Sequence, residues 1–111
     1  MKRNDRVYLA HILDALTQIE SYTAGLVYAE FVQKRLVQDG VIRQLEIIGE
    51  ASGNLSSDFR DEHSNLPWPQ IISLRNRLIH AYFDINLGIV WDIVHTDLPP
   101  LKQNVRAWLG K

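Results

Sequence analysis

Apolar residues recur in this chain at intervals of three and four, and that spacing limits its fold more than any other feature. Tyr8, Ile12, Ala15, Ile19 and Tyr22 step by 4, 3, 4 and 3, which gathers side chains on one face of an α-helix. No stretch of four or more residues alternates cleanly between apolar and polar, as a half-buried strand would. The expectation is an all-α chain: one up-and-down bundle of about five helices, filling residues 1–111 as a single domain. With 46% hydrophobic and 23% charged residues, the chain can bury one core but cannot hold a catalytic domain and a separate regulatory one.

The periodicity predicts a first helix from Asn4 to Tyr22, broken by Gly25, and a shorter one over Val27–Leu36. Asp39-Gly40 marks either its end or a bend into the next helix. Val41, Leu45, Ile48 and Ser52 define a third helix through Gly49, where a glycine suits close approach of a neighbouring helix. Ser56–Asn65 is polar and reads as a loop. Pro67-Trp68-Pro69 suits a helix start, since first-turn N–H groups have no internal partner; Ile71, Leu74, Leu78 and Phe83 continue that fourth helix. Asn86 is placed to cap a last helix running to Trp108. Because its apolar stripe keeps phase across Pro99-Pro100, the expectation is a kinked but continuous helix.

Composition excludes several kinds of function. Twelve Lys+Arg against thirteen Asp+Glu leave a net charge of −1, which argues against generic electrostatic coating of nucleic acid. With no cysteine there is no disulfide, thiolate nucleophile or thiolate metal site, and a reducing, cytoplasmic setting fits. The apolar stretch after the charged start is cut by His11 and Asp14 and is too short for a signal-peptide core, and no run is long enough to span a membrane. Glycine-rich phosphate loops and D-x-D carboxylate pairs do not occur. Asp92-x-x-His95 is the nearest approach to a metal motif, and a surface carboxylate and imidazole one turn apart is its plainer reading. No metal or cofactor is implied. His11 and His63 lack ligand-spaced partners and read as solvated or capping residues.

The informative stretch is Leu66–Phe83, LPWPQIISLRNRLIHAYF, which carries Arg75, Arg77 and His80 and no acid. That composition makes an anion-binding patch. Within it lies Arg75-x4-His80-x-Tyr82. On a helix, Asn76 and His80 are one turn apart, so the amide can fix the imidazole tautomer. Arg75 and Tyr82 fall within about 20° of one another around the axis. The plain alternative makes the arginines solvated charges, His80 an inter-helix histidine and Tyr82 a rim aromatic.

The run RNRLIHAYF after Pro-Trp, together with RQLEIIGEA at 43–51, Val90-Trp91-Asp92 and Asp97-Leu98-Pro99, resembles the HepT-like branch of the HEPN superfamily over nearly the whole chain. The resemblance implies a small helical-bundle toxin paired with an MntA-type nucleotidyltransferase antitoxin, with an R-x4-6-H motif serving metal-independent RNA cleavage. It gives Arg75 and His80 catalytic roles, makes Asn76 the polar residue that follows the arginine, with Arg77 supporting beside it, and makes Tyr82 the acceptor of AMP. Gly40 departs from the more usual alanine, which touches helix stability and leaves those residues unaffected.

Such a site is chemically sufficient because RNA carries its own nucleophile, the 2′-OH, and needs only a base, an acid and a cation for the phosphorane-like transition state. One helix is an awkward host: Arg75 and His80 are separated by about 140° around the axis and about 7.5 Å along it. A two-fold pairing of fourth helices brings two copies of each residue to one cleft, so a homodimer with a composite site is expected. Two other readings stay open: a non-catalytic subunit that binds a nucleotide or a partner for an associated nucleotidyltransferase, and a purely structural helical adaptor.

Overall fold

A computed structural model describes residues 1–74, 76–78 and 86–111. Helix α1 (Arg3–Thr23) carries the apolar seam read from the sequence: Leu9, Ile12, Ala15, Leu16 and Ile19 are buried. Two helices run antiparallel to it. Residues Arg35–Asn54 form α3, which buries Val41, Leu45, Ile48 and Ser52; Leu98–Leu109 form α7, which buries Leu101, Val105 and Leu109. The directions follow from contacts at the helix ends. Tyr22 lies against Gly40 while Asp5 meets Ser56, beyond the other end of α3. Arg6 donates to the Leu109 carbonyl at 3.2 Å, and Lys102 pairs with Glu20 at 2.6 Å.

The short helices depart from expectation. Helix α2 is a single turn, Tyr28–Phe31, in place of Val27–Leu36. At its start the Glu30 carboxylate accepts from the Val27 N–H at 3.1 Å, and Gln38 donates to the Phe31 carbonyl at 2.9 Å. Helix α3 therefore begins at Arg35 and passes straight through Asp39-Gly40, which is neither an end nor a bend. Tertiary packing explains the glycine: a Cβ at Gly40 would lie 3.1 Å from the Tyr22 ring. Close approach is thus seen at Gly40, where a helix end or bend was expected; Gly49, where close approach was expected, is buried.

Ser56–Asn65 is not a loop throughout, because Ser57–Glu62 form α4. Ser56 Oγ caps it by accepting from the Phe59 N–H at 3.1 Å, and Phe59 is buried beside Trp68 and Trp108. From Asn86 onward the helical path is unbroken, as expected. Asn86 Oδ1 accepts from the Ile89 N–H at 3.3 Å, opening α6 (Leu87–Asp92). A π-helical turn, Ile93–Asp97, leads into α7, with the Leu98 N–H donating to the Ile93 carbonyl. Pro99 and Pro100 fall in the first turn of α7, where the missing N–H groups cost little.

Asp5 fixes how α4 joins the bundle. It is 3% exposed and accepts from both the N–H and the hydroxyl of Ser56, each at 2.7 Å. Removing this carboxylate strands the Ser56 N–H and weakens the cap. Asp5→Ala is expected to lower stability by about 3 kcal/mol, read as a fall of roughly 10 °C or more in melting temperature. Ser56→Ala should cost less, about 1–2 kcal/mol. In a double-mutant cycle the two losses should be strongly non-additive.

Candidate functional site

The chain enters the site region through Pro67 and Pro69. The N–H groups that a proline lacks are ones that the first turn of α5 (Trp68–Ile72) leaves unpaired. Trp68 anchors that start: its ring is buried and its Nε1 donates to the His63 carbonyl at 2.9 Å. Ser73 makes a turn, with Oγ donating to the Gln70 carbonyl. The Arg77 N–H then reaches back to the Ser73 carbonyl at 3.0 Å, a helical bond.

Two leucines set the rotation of this helical segment. Leu74 and Leu78, one turn apart, are both buried, whereas Asn76 and Arg77 are exposed. The two residues expected to support chemistry are therefore off the apolar face and open to a ligand. Arg77 also borders a groove of ≈ 250 Å³. One wall is Gln70, Ile71 and Leu74, and the other is Ile93, Asp97 and Leu101 from the π turn and α7. Arg75, His80 and Tyr82 lie outside the described residues, as do the expected Asn76–His80 pairing and the face shared by Arg75 and Tyr82.

The remaining histidines contact aromatic rings. His95 Nδ1 lies 2.9 Å from the Trp91 carbonyl, and its ring sits 4.1 Å from that of Trp91. Asp92 and His95 are both exposed. His63 ends α4 and packs between Phe59 and Trp108; His11 meets Tyr8 edge-on. Among the described residues no group of three His, Asp or Glu side chains is placed to hold a metal ion, and no helix is long and apolar enough to cross a membrane. Sequence reasoning passed over Arg60, which lines a groove between α4 and α5. The cap signal at Ser56 would have placed it on a helix.

The family described as "Ribonuclease HepT-like" matches residues 12–108, from within α1 to the end of α7. A protein of Methanocaldococcus jannaschii named "Gamma-glutamylcyclotransferase and putative RNase" is 39% identical over 95% of this chain, which spans only 47% of that relative's length. Another from the same organism, named "Putative RNase", is 40% identical over 94% of this chain and 95% of its own. "Probable ribonuclease HepT" of Thermococcus cleftensis is 41% identical over 92% and 93%. No solved structure matches the chain.

Burial separates two kinds of substitution on one short helical stretch. Leu78→Ala should destabilise by about 2–4 kcal/mol through lost burial and the cavity left behind. Asn76→Ala and Arg77→Ala should stay within about 0.5 kcal/mol of the parent in denaturant unfolding.

Proposed function

The chain belongs to the HepT-like ribonuclease family, and from that premise we propose that it is the toxin of a toxin–antitoxin pair, a metal-independent endoribonuclease whose site is completed by a second copy. The observation that carries this reading is the Leu66–Phe83 segment: Arg75, Asn76, Arg77, His80 and Tyr82 without an acid, on a stretch whose buried leucines leave Asn76 and Arg77 exposed.

In this scheme His80 takes the proton from the ribose 2′-OH, and the freed oxygen attacks the adjacent phosphorus. The P–O5′ bond breaks. The departing 5′ oxygen takes a proton from the His80 of the second copy, leaving a 2′,3′-cyclic phosphate and a 5′-hydroxyl. Arg75 balances charge on the phosphorane-like transition state through a bidentate grip that lysine could not reproduce. Asn76 holds the imidazole tautomer, and Arg77 raises the local positive potential.

The family resemblance implies control by a cognate MntA-type nucleotidyltransferase, and Tyr82, two residues after His80, is the hydroxyl it would modify. Transfer of AMP from ATP to the Tyr82 hydroxyl forms a phosphodiester and releases pyrophosphate. The new phosphate then competes for Arg75 as a substrate phosphate would, and the adenosine obstructs RNA entry.

Purified protein should cut RNA in the presence of EDTA and leave cyclic phosphate ends. His80→Ala and Arg75→Ala should each lose about 100-fold or more in rate while keeping the helical circular dichroism of the parent. Cleavage abolished by chelator, or unchanged in His80→Ala, refutes the mechanism. Mixing the two inactive variants should give a heterodimer whose residual activity differs from that of either parent if the site is composite.

Co-expression with an active cognate nucleotidyltransferase should add one or more AMP units to the peptide containing Tyr82, measured by mass spectrometry. Tyr82→Phe should escape both the adduct and the silencing. Modification and silencing of Tyr82→Phe to the extent of the parent would assign control to another residue.

A further inference from the structure

Between α4 and α5 lies a groove of ≈ 580 Å³, lined by Ser57, Arg60, Asp61 and Ser64 with Leu66, Pro69 and Ile72 among its apolar residues. Its volume suits one nucleotide unit. Arg60 is its unusual feature. The side chain is part-buried and Nε is shielded from solvent with no hydrogen-bond partner among the described residues. Arg35 and Arg43, by contrast, pair with Asp39 and Glu46. A guanidinium carries five donors in a planar fork and is not deprotonated. Among the described residues Arg60 forms no ion pair, and a phosphate that draws the half-buried fork outward would satisfy the shielded Nε.

The rest of the groove fits a ribose. Asp61 is an exposed carboxylate that cannot donate, so beside a phosphate it can only accept from a hydroxyl. Ser57 and Ser64 add hydroxyls that donate or accept. The groove also adjoins the proposed cleavage segment, for Pro69 and Ile72 precede Arg75 by six and three residues. We propose that this groove binds a backbone nucleotide of the substrate RNA away from the scissile bond, Arg60 holding its phosphate and Asp61 accepting from its 2′-hydroxyl. The inference rests on the ribonuclease reading and extends it to substrate recognition.

The test is fluorescence anisotropy with a labelled single-stranded RNA 12-mer and the full-length protein, in a His80→Ala background so that nothing is cut. Arg60→Gln should weaken RNA binding about tenfold and lower the slope of log affinity against log salt by about 0.7, the loss of one phosphate contact on a single strand. Arg60→Lys should retain that slope. The 12-mer of deoxyribose should keep the Arg60 dependence but bind more weakly, and Asp61→Asn should narrow the gap between RNA and DNA. An unchanged slope in a folded Arg60→Gln overturns the phosphate contact. Equal RNA and DNA binding overturns the role of Asp61. If Arg60→Gln abolishes binding of inorganic phosphate but leaves RNA binding intact, the groove is an anion site unrelated to the substrate, and the proposal falls. Because binding is measured without cleavage, a parent protein that binds RNA through Arg60 but does not cut it faults the catalytic reading alone.

Discussion

Were the seam of α1 unable to pack on both sides, nothing else in the chain would have a place to sit. Leu9, Ile12, Leu16 and Ile19 are at most 2% exposed, and each such side chain contributes about 1.5–3 kcal/mol by leaving water. Both principal neighbours run antiparallel to α1, so contacts at its two ends fix their register. At the N-terminal end Asp5 binds Ser56 and Arg6 reaches Leu109; at the other Tyr22 lies on Gly40 and Glu20 pairs with Lys102. The buried Asp5 bonds have the larger energetic role of these. Exposed ion pairs such as Lys2–Asp58 contribute under about 1 kcal/mol.

The aromatic residues then divide into two groups. Phe59, His63, Trp68 and Trp108 tie α4 and the start of α5 to the end of α7. Tyr28, Phe31 and Trp91 tie α2 to α6, with His95 continuing the stack. One group lies just before the segment with the candidate catalytic residues and the other just after it. Trp68 on one side of that segment and Trp91 on the other are thus each packed against aromatic rings of another helix.

Long helices were legible because each repeats its apolar spacing often enough to be recognised, as Tyr8 through Tyr22 and Leu87 through Trp108 do. The extents of α2 and α4 were not. Helix α2 buries Phe31 alone and α4 buries Phe59 alone, and one buried residue has no period. Gly40 misled for a different reason: an Asp-Gly pair carries the local signal of a helix end, but the glycine is there to admit Tyr22, a contact invisible to neighbours in sequence. The candidate cleavage residues were legible as chemistry, since an acid-free Arg/Asn/His/Tyr run is unusual in a chain of net charge −1. Arg60 was not, because what distinguishes it is a shielded Nε with no hydrogen-bond partner among the described residues, and that is a property of three-dimensional packing.

Net neutrality also constrains how such a chain can hold RNA. A uniformly basic protein binds a polyanion anywhere on its surface; one with a single excess negative charge needs its cations sorted by place. The exposed cations Lys2, Arg35 and Arg43, together with the part-buried Lys102, stand opposite carboxylates within hydrogen-bond reach. Arg60 and Arg77 have no such partner among the described residues, and Arg77 and Arg75 sit in a stretch without acids. Neutralised cations contribute little to phosphate binding because a carboxylate must first be displaced. Arg3 and Lys34 also stand opposite no carboxylate among the described residues, so what sets residues 66–83 apart is a run with two arginines and a histidine and no acid. In a chain of weak overall charge such a run favours anion binding at one place, where a larger charge would give affinity without register.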